Sequence, residues 1–299
     1  MRMLGFLLLV ALVGCYKPES ECYPLGHEKN PLVMAFVPST EAEKVIASGD
    51  ELAALLVEHT GLHFKAFIVP SYVSVVEAMA VGKVHIGWLP PMAYVFAHQR
   101  NGDRALLKVV RDGKATYRGQ ILVMADSGID SIADLAGKRL AFTEQASASG
   151  HLYPRALLLE HGIDLDLDLL EVFYSGSHDA AVLALVKGSV DAACSYDDAR
   201  EKLAQAGIED IMETTRVLAY TPDIPADNVT VISELDDEMA SAISDALLAI
   251  AASDRGKEVL MELYEIEGLV PASDADYLPV RKMAAVLGLD VEEEVEKAE

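Results

Sequence analysis

Val76-Glu77-Ala78-Met79-Ala80-Val81-Gly82-Lys83-Val84-His85-Ile86-Gly87 returns 106 residues later as Val182-Leu183-Ala184-Leu185-Val186-Lys187-Gly188-Ser189-Val190-Asp191-Ala192-Ala193. Each copy reads as a helix, a glycine C-cap and a short apolar strand. The likeness extends upstream. Leu55-Leu56-Val57-Glu58-His59 precedes a glycine, as Leu157-Leu158-Leu159-Glu160-His161 does, at an offset of 102 that requires a small gap. One pattern used twice predicts two lobes of the same architecture.

Each half alternates strand and helix. The strands are predicted at Leu32–Val37, His63–Val69 and Val84–Trp88 in the first half, and at Arg139–Thr143, Leu169–Tyr174 and Val190–Ser195 in the second. Such alternation predicts an α/β fold with parallel-type sheets, whose ligands bind beyond the carboxyl ends of the strands. Gln120 to Ala125 reads as a strand leaving the first lobe, Leu218 to Ala226 as the return crossing and Asp227 to Ile232 as a strand back in the first lobe. Asp236 to Ala252 and Gly256 to Tyr264 have helical spacing, and Val291 to Glu299 reads as a solvated acidic tail. The resulting division is 32–120 for the first part of lobe 1, 121–222 for lobe 2, and 223–299 for the return strand and C-terminal helices.

The N-terminus follows a different logic. Met1-Arg2 is a short positive start and Leu4 to Val13 an apolar run, too short for a resident membrane helix but suited to a secretory signal over residues 1–14. Leu12-Val13-Gly14-Cys15 resembles a bacterial lipobox, which makes Cys15 the lipid-anchored first residue and 15–31 a tether. About 285 residues remain, enough for one large or two medium domains. A formal net charge of −24 argues against nucleic acid as a partner and suits a secreted protein. It says nothing against a small anion, which local groups recognise. No Cys/His cluster has metal-ligand spacing, and no cofactor motif is present. Cys194 lies in an apolar run and reads as a buried free thiol, with pairing to Cys22 as the alternative.

Candidate site residues come from the turns that follow the strands. Ser147-Ala148-Ser149-Gly150 lies between the strand ending at Thr143 and a helix from Tyr153 to His161 with Pro154 near its start. Free N–H groups and the helix dipole make such a turn an anion cradle, and the same residues also serve as a plain helix cap. The repeat offset sets Tyr72 opposite His178, each after a strand and at a helix start, so two ring-bearing polar side chains are expected to enter an interlobe cleft from equivalent places. Pro90-Pro91-Met92 corresponds to Tyr196-Asp197-Asp198 in the same way.

Ser147-Ala148-Ser149-Gly150 with Pro154, Gly176-Ser177-His178-Asp179-Ala180-Ala181, the two repeat stretches, Pro70-Ser71-Tyr72, and Gly268-Leu269-Val270-Pro271-Ala272-Ser273-Asp274-Ala275-Asp276-Tyr277 together resemble the phosphate/phosphite/phosphonate-binding proteins of ABC importers. The resemblance runs from Leu32 to Leu289. It implies a two-lobed periplasmic-binding-protein fold of the second type with a ligand cleft between the lobes. The implied function is an extracytoplasmic lipoprotein that captures a small phosphorus oxyanion, binds no cofactor, acts as a monomer and hands its ligand to a membrane permease. Its place is the outer face of the cytoplasmic membrane or the periplasm. The alternatives are a ligand-sensing subunit for a membrane kinase and an enzyme of the thiamine-precursor type on the same fold. Against the enzyme, the chosen residues form no nucleophile–base pair.

The resemblance also assigns roles. Ser147 and Ser149 donate hydroxyl hydrogen bonds to the oxyanion, while Ala148 stands where the family carries threonine and removes one donor. His178 donates to a phosphoryl oxygen, more strongly when protonated. Tyr72 offers its O–H to the oxyanion and its ring to a substituent. Asp227 and Asp198 accept from a protonated ligand oxygen or pair with a ligand amine. Ser39, with Thr40, caps the first-lobe helix that faces the cleft and is a ligand-binding candidate through backbone N–H donation. Trp88 is either cleft wall or core, and His85 reads as structural. With no Lys or Arg at these turns, the expected site is built from neutral donors.

Overall fold

The computed structural model describes residues 23–37, 42–145, 147–208 and 210–288. The signal, Cys15, Cys22, Ser39, Thr40 and the acidic tail lie outside the described residues.

The first half forms β1 (Leu32–Phe36), α1 (Ala42–Thr60), β2 (Phe64–Ile68), α2 (Tyr72–Ala80), β3 (Ile86–Leu89), α3 (Pro91–Asn101) and β4 (Arg104–Val110). A crossing strand, β5 (Thr116–Tyr117), leads to the second half. That half contains β6 (Gly119–Met124), β7 (Arg139–Phe142), α4 (Tyr153–Glu160), β8 (Glu171–Tyr174), α5 (His178–Val186), β9 (Ala192–Tyr196), α6 (Ala199–Gln205), α7 (Ile211–Thr214) and β10 (Thr215–Tyr220). The chain returns through β11 (Ile224–Pro225) to β12 (Asn228–Val231), α8 (Asp237–Ala252), α9 (Asp254–Tyr264), β13 (Gly268–Pro271) and α10 (Leu278–Val286).

Two main sheets result, ordered β13-β4-β12-β3-β1-β2 and β10-β6-β9-β7-β8, with β5 and β11 forming a separate two-stranded ribbon where the chain crosses. The trio β2-β1-β3 matches β8-β7-β9, and both trios are parallel. The sheets as wholes are mixed, which corrects the parallel-type expectation. β12 pairs antiparallel with β3, and β6 antiparallel with β9. The reason is the crossing: a strand arriving from the other lobe enters at the carboxyl ends of its new neighbours and must run against them.

Alternation explains the apolar strands of the second lobe. Ile121, Val123, Leu140, Phe142 and Cys194 fill one side of the sheet, and Leu122, Ala141, Val182, Leu185 and Ala193 the other. Both faces of the central strands β6, β7 and β9 are covered, whereas the edge strands β8 and β10 keep exposed residues. Cys194 is buried and free. Ala148, Leu152 and Tyr153 belong instead to the core of the first lobe, with Phe36, Trp88 and Tyr277. The candidate cradle is therefore seated across the lobes. Fully burying each such large side chain contributes about 1.5–3 kcal/mol. α10 touches α3, β11 and α4, and backs the same junction.

Candidate functional site

A cavity of about 630 Å³ opens between the lobes, a volume typical of small-molecule sites. Tyr72, Ser147, Ala148, Ser149, His178, Asp198 and Asp227 all line it, as does Trp88. Ser39 lies outside the described residues.

The repeat organises the two facing helix starts. Ser71 caps α2, its hydroxyl accepting from the Ser74 N–H, and Tyr72 follows. Ser177 caps α5, accepting from the Ala180 N–H, and His178 follows. Both rings are buried, at 6% and 7% exposure, yet reach the cavity. His178 Nδ1 lies 3.1 Å from Ser195 Oγ, and its ring meets Tyr196 edge-on. Burial, aided by Lys202, lowers the His178 pKa to about 4. The ring is thus neutral at physiological pH, so any donation to a ligand comes from the neutral imidazole and not from the stronger protonated form. Burial, then the charges of Glu144 and Asp227, holds the Tyr72 phenol well above its ordinary pKa, so it stays a donor.

The cradle is one π-helical turn, Ala148–Leu152, running into α4. The Gly150 N–H donates to Ser147 Oγ at 3.0 Å, which makes Ser147 a true N-cap. An accepting hydroxyl keeps its own proton, so capping leaves Ser147 able to donate to a ligand. Two glycines permit this geometry. An added Cβ on Gly150 would sit 2.1 Å from Thr143 Oγ1, and one on Gly119 would sit 2.7 Å from the Ser149 carbonyl oxygen.

The carboxylates do not stand free. Asp227 lies 3.1 Å from Arg111. Asp198 caps α6, accepts from the Arg200 guanidinium at 2.9 Å and from Gln120 at 3.0 Å, and its pKa is lowered against the cost of its burial. His85 accepts the Val33 N–H at 2.9 Å, a structural role.

Sequence reasoning passed over Arg111, Lys114, Tyr117, Arg118, Tyr196, Lys202 and Tyr264, which also line the cavity. Arg111, Lys114, Tyr117 and Arg118 come from the crossing between β4 and β6, outside the stretches whose sequences repeat. Tyr117 has the Ser149 side chain as a hydrogen-bond partner. Cations are present after all, each beside a carboxylate or at the cavity rim, so the neutral-donor expectation holds only for the turns themselves.

A family model described as "ABC transporter, phosphonate, periplasmic substrate-binding protein" matches residues 34–277. The chain belongs to this family. The phosphate-import protein PhnD of Mycolicibacterium smegmatis is 29% identical over 309 residues, spanning 94% of this chain and 93% of that protein. Two solved structures share the fold. A binding-protein component of an ABC phosphonate transporter from Pseudomonas aeruginosa superposes with a TM-score of 0.76 at 22% identity, over 92% of this chain and 96% of that one. PhnD1 of Prochlorococcus marinus, solved with methylphosphonate, gives a TM-score of 0.76 at 16% identity, over 87% and 98%. The mixed α/β fold is that of the two-lobed periplasmic binding proteins. Family membership makes the chain the ligand-binding component of an ABC transporter, with a small-molecule ligand and a membrane permease as partner. Its relatives are transport proteins. Among the described residues no helix is long and apolar enough to cross a membrane, and no His/Cys/Asp/Glu group is arranged to hold a metal ion.

Proposed function

We propose that the cleft captures a small phosphorus oxyanion — phosphate, phosphite or a phosphonate — and delivers it to the permease. The observation that carries this reading is the convergence of Ser147 and Ser149, from the cradle, with Tyr72 and His178, from facing helix starts, on one cavity. All four are neutral donors. In the tautomer in which Ser195 donates to His178 Nδ1, the proton of the neutral ring sits on Nε2. Charge-assisted bonds of this kind contribute roughly 1.5–3 kcal/mol each. Lobe closure on the anion supplies the two states that a permease can distinguish.

Binding without turnover is the reading that the residues support. The contact of Ser195 with His178 joins a nucleophile type to a base type, but Ser195 is fully buried and is not among the cavity-lining residues. The protein acts as a monomer, tethered through lipid on Cys15 to the outer face of the cytoplasmic membrane or within the periplasm. Replacing Cys15 with Ser is expected to move the protein from the membrane fraction to the soluble one on cell fractionation. Retention in the membrane removes the anchor.

Calorimetry with phosphate, phosphite and methylphosphonate is expected to give binding far tighter than millimolar for at least one, and failure with all three rejects the oxyanion. Ser149→Ala is expected to weaken binding at least tenfold, about 1.4 kcal/mol. Melting of the ligand-free variant should stay near wild type. An equal loss of apo stability would make Ser149 a structural partner of Tyr117 and not a ligand contact.

A further inference from the structure

Among the described residues, four carboxylates that line the cavity, Asp197, Asp198, Asp227 and Glu265, each have a cation from this chain. Arg111 stands 3.1 Å from Asp227, Arg118 2.6 Å from Asp197, and Lys202 3.2 Å from Glu265, while the Arg200 guanidinium donates to Asp198 at 2.9 Å. The other described lining carboxylates, Asp112, Glu201, Asp223 and Glu267, are, like Glu265, exposed to solvent, which leaves Asp197, Asp198 and Asp227 as the more buried ones.

Asp227 lines the cavity together with Tyr72 and Tyr117, whose phenols its charge raises, after that of Glu144 in the case of Tyr72. Its partner is held firmly. Arg111 follows β4 at the base of a tight turn, where its N–H donates to the Lys114 carbonyl at 3.0 Å and the Lys114 N–H donates back at 2.9 Å. Asp112 and Gly113 take the positive φ values, 50° and 67°, that close this turn. Arg111 Nε donates to the Tyr264 carbonyl oxygen at 2.8 Å, at the carboxyl end of α9, where a cation is favoured. Nη1 donates to Asp227. Asp227 is fixed from the other side, since its carbonyl accepts the Val109 N–H at 2.9 Å.

A ligand ammonium reaching Asp197, Asp198 or Asp227 would find each of them already paired. It would have to displace a guanidinium held by two bonds, or lie beside it and suffer like-charge repulsion while losing hydration. The phosphoryl end meets no such conflict, because the donors facing it are neutral and Asp227 is already compensated. We infer that Arg111 is a specificity-determining residue that neutralises Asp227 and restricts the site to oxyanions whose substituent is absent or uncharged, against zwitterionic aminoalkylphosphonates. This replaces the amine-pairing role expected of Asp227 and Asp198. It rests on the oxyanion reading and narrows it.

The test compares two nearly isosteric ligands, n-propylphosphonate and 2-aminoethylphosphonate, by calorimetry on the wild type, Arg111→Met and Arg111→Met/Asp227→Asn, with phosphate as a third ligand. The wild type is expected to bind n-propylphosphonate at least tenfold tighter than the amine. Arg111→Met frees Asp227 and should shift that ratio at least tenfold toward the amine, and adding Asp227→Asn should return it. Arg111→Lys keeps the charge and should keep the wild-type preference, which covers the case in which the Met variant folds poorly. A wild type that prefers the amine, or an Arg111→Met variant that weakens both ligands equally, overturns the inference and leaves the oxyanion reading standing. If neither the three phosphorus ligands nor phosphite and methylphosphonate bind the wild type, the oxyanion reading fails and takes this inference with it.

Discussion

Lowering the pH from 6.5 to 4 is expected to cost the ligand-free protein several kcal/mol of stability. Two buried histidines drive the loss. His178 and His151 both have pKa values lowered to about 4, chiefly by burial. Lys202 adds to the effect at His178. At His151 the Gln145 carbonyl opposes it in part. A group whose folded pKa is depressed below its unfolded value near 6.5 takes its proton first in the unfolded state. Its contribution is therefore complete above pH 6.5 and disappears as the pH falls toward 4. A gap of about 2.5 units corresponds to about 3 kcal/mol for each ring. His85 is lowered by burial in the same sense. Glu144 and Asp103, raised by burial, act oppositely and return part of the loss low in the window. Against a usual total of about 5–15 kcal/mol, the net effect should be plain. Urea unfolding at intervals from pH 7 to pH 4 measures it, and His178→Gln should flatten the profile between pH 6.5 and 4.5 by a large share. A flat profile between pH 6.5 and 4.5 would show that these rings are not buried as neutral groups.

That both rings are neutral is a property of packing, and it marks where sequence reasoning stopped. The 106-residue repeat was enough to pair Tyr72 with His178, because equal spacing puts equal positions at the same end of equal sheets. All of the strands read from the sequence are present, with ends shifted by one or two residues. The repeat carried no information about the elements outside it. β4, β13 and α10 passed unread, and with them Arg111 and the back of the cradle. Tyr117 and Arg118 lie on a crossing, where neither period 2 nor period 3.6 operates. The seating of Ala148, Leu152 and Tyr153 in the core of the other lobe also left no local trace. Residue types at the turns were legible, whereas the partners that set their charge were not. Asp227 looked free until Arg111 was brought beside it by a pairing between β4 and β12.

Gly150→Ala is expected to damage both binding and stability, against the ordinary effect of that change. In an open helical turn, alanine is favoured over glycine by roughly 0.5–1 kcal/mol. Here the new methyl would lie 2.1 Å from Thr143 Oγ1, 2.6 Å from its Cγ2 and 2.8 Å from its Cβ. Thr143 is buried directly after β7 and is tied to the cradle, its N–H donating to the Gly150 carbonyl at 3.2 Å. On the far side, Gly119 lies so close to the Ser149 carbonyl that no side chain fits between them. The turn is held between two strands and cannot yield in either direction. Overpacking of this kind costs about 1–3 kcal/mol. The larger effect falls on the ligand. A shifted turn misplaces Ser147 and Ser149 together, and two charge-assisted bonds of roughly 1.5–3 kcal/mol each correspond to at least a hundredfold loss of affinity. Ser149→Ala alone should do less. Because the three atoms nearest the new methyl all belong to the Thr143 side chain, Thr143→Gly combined with Gly150→Ala should recover much of the binding. Calorimetry with whichever phosphorus ligand binds the wild type, together with thermal melting, distinguishes the outcomes. A stabilised Gly150→Ala variant with unchanged affinity would mean that the cradle is not pinned and that its hydroxyls are not what holds the anion.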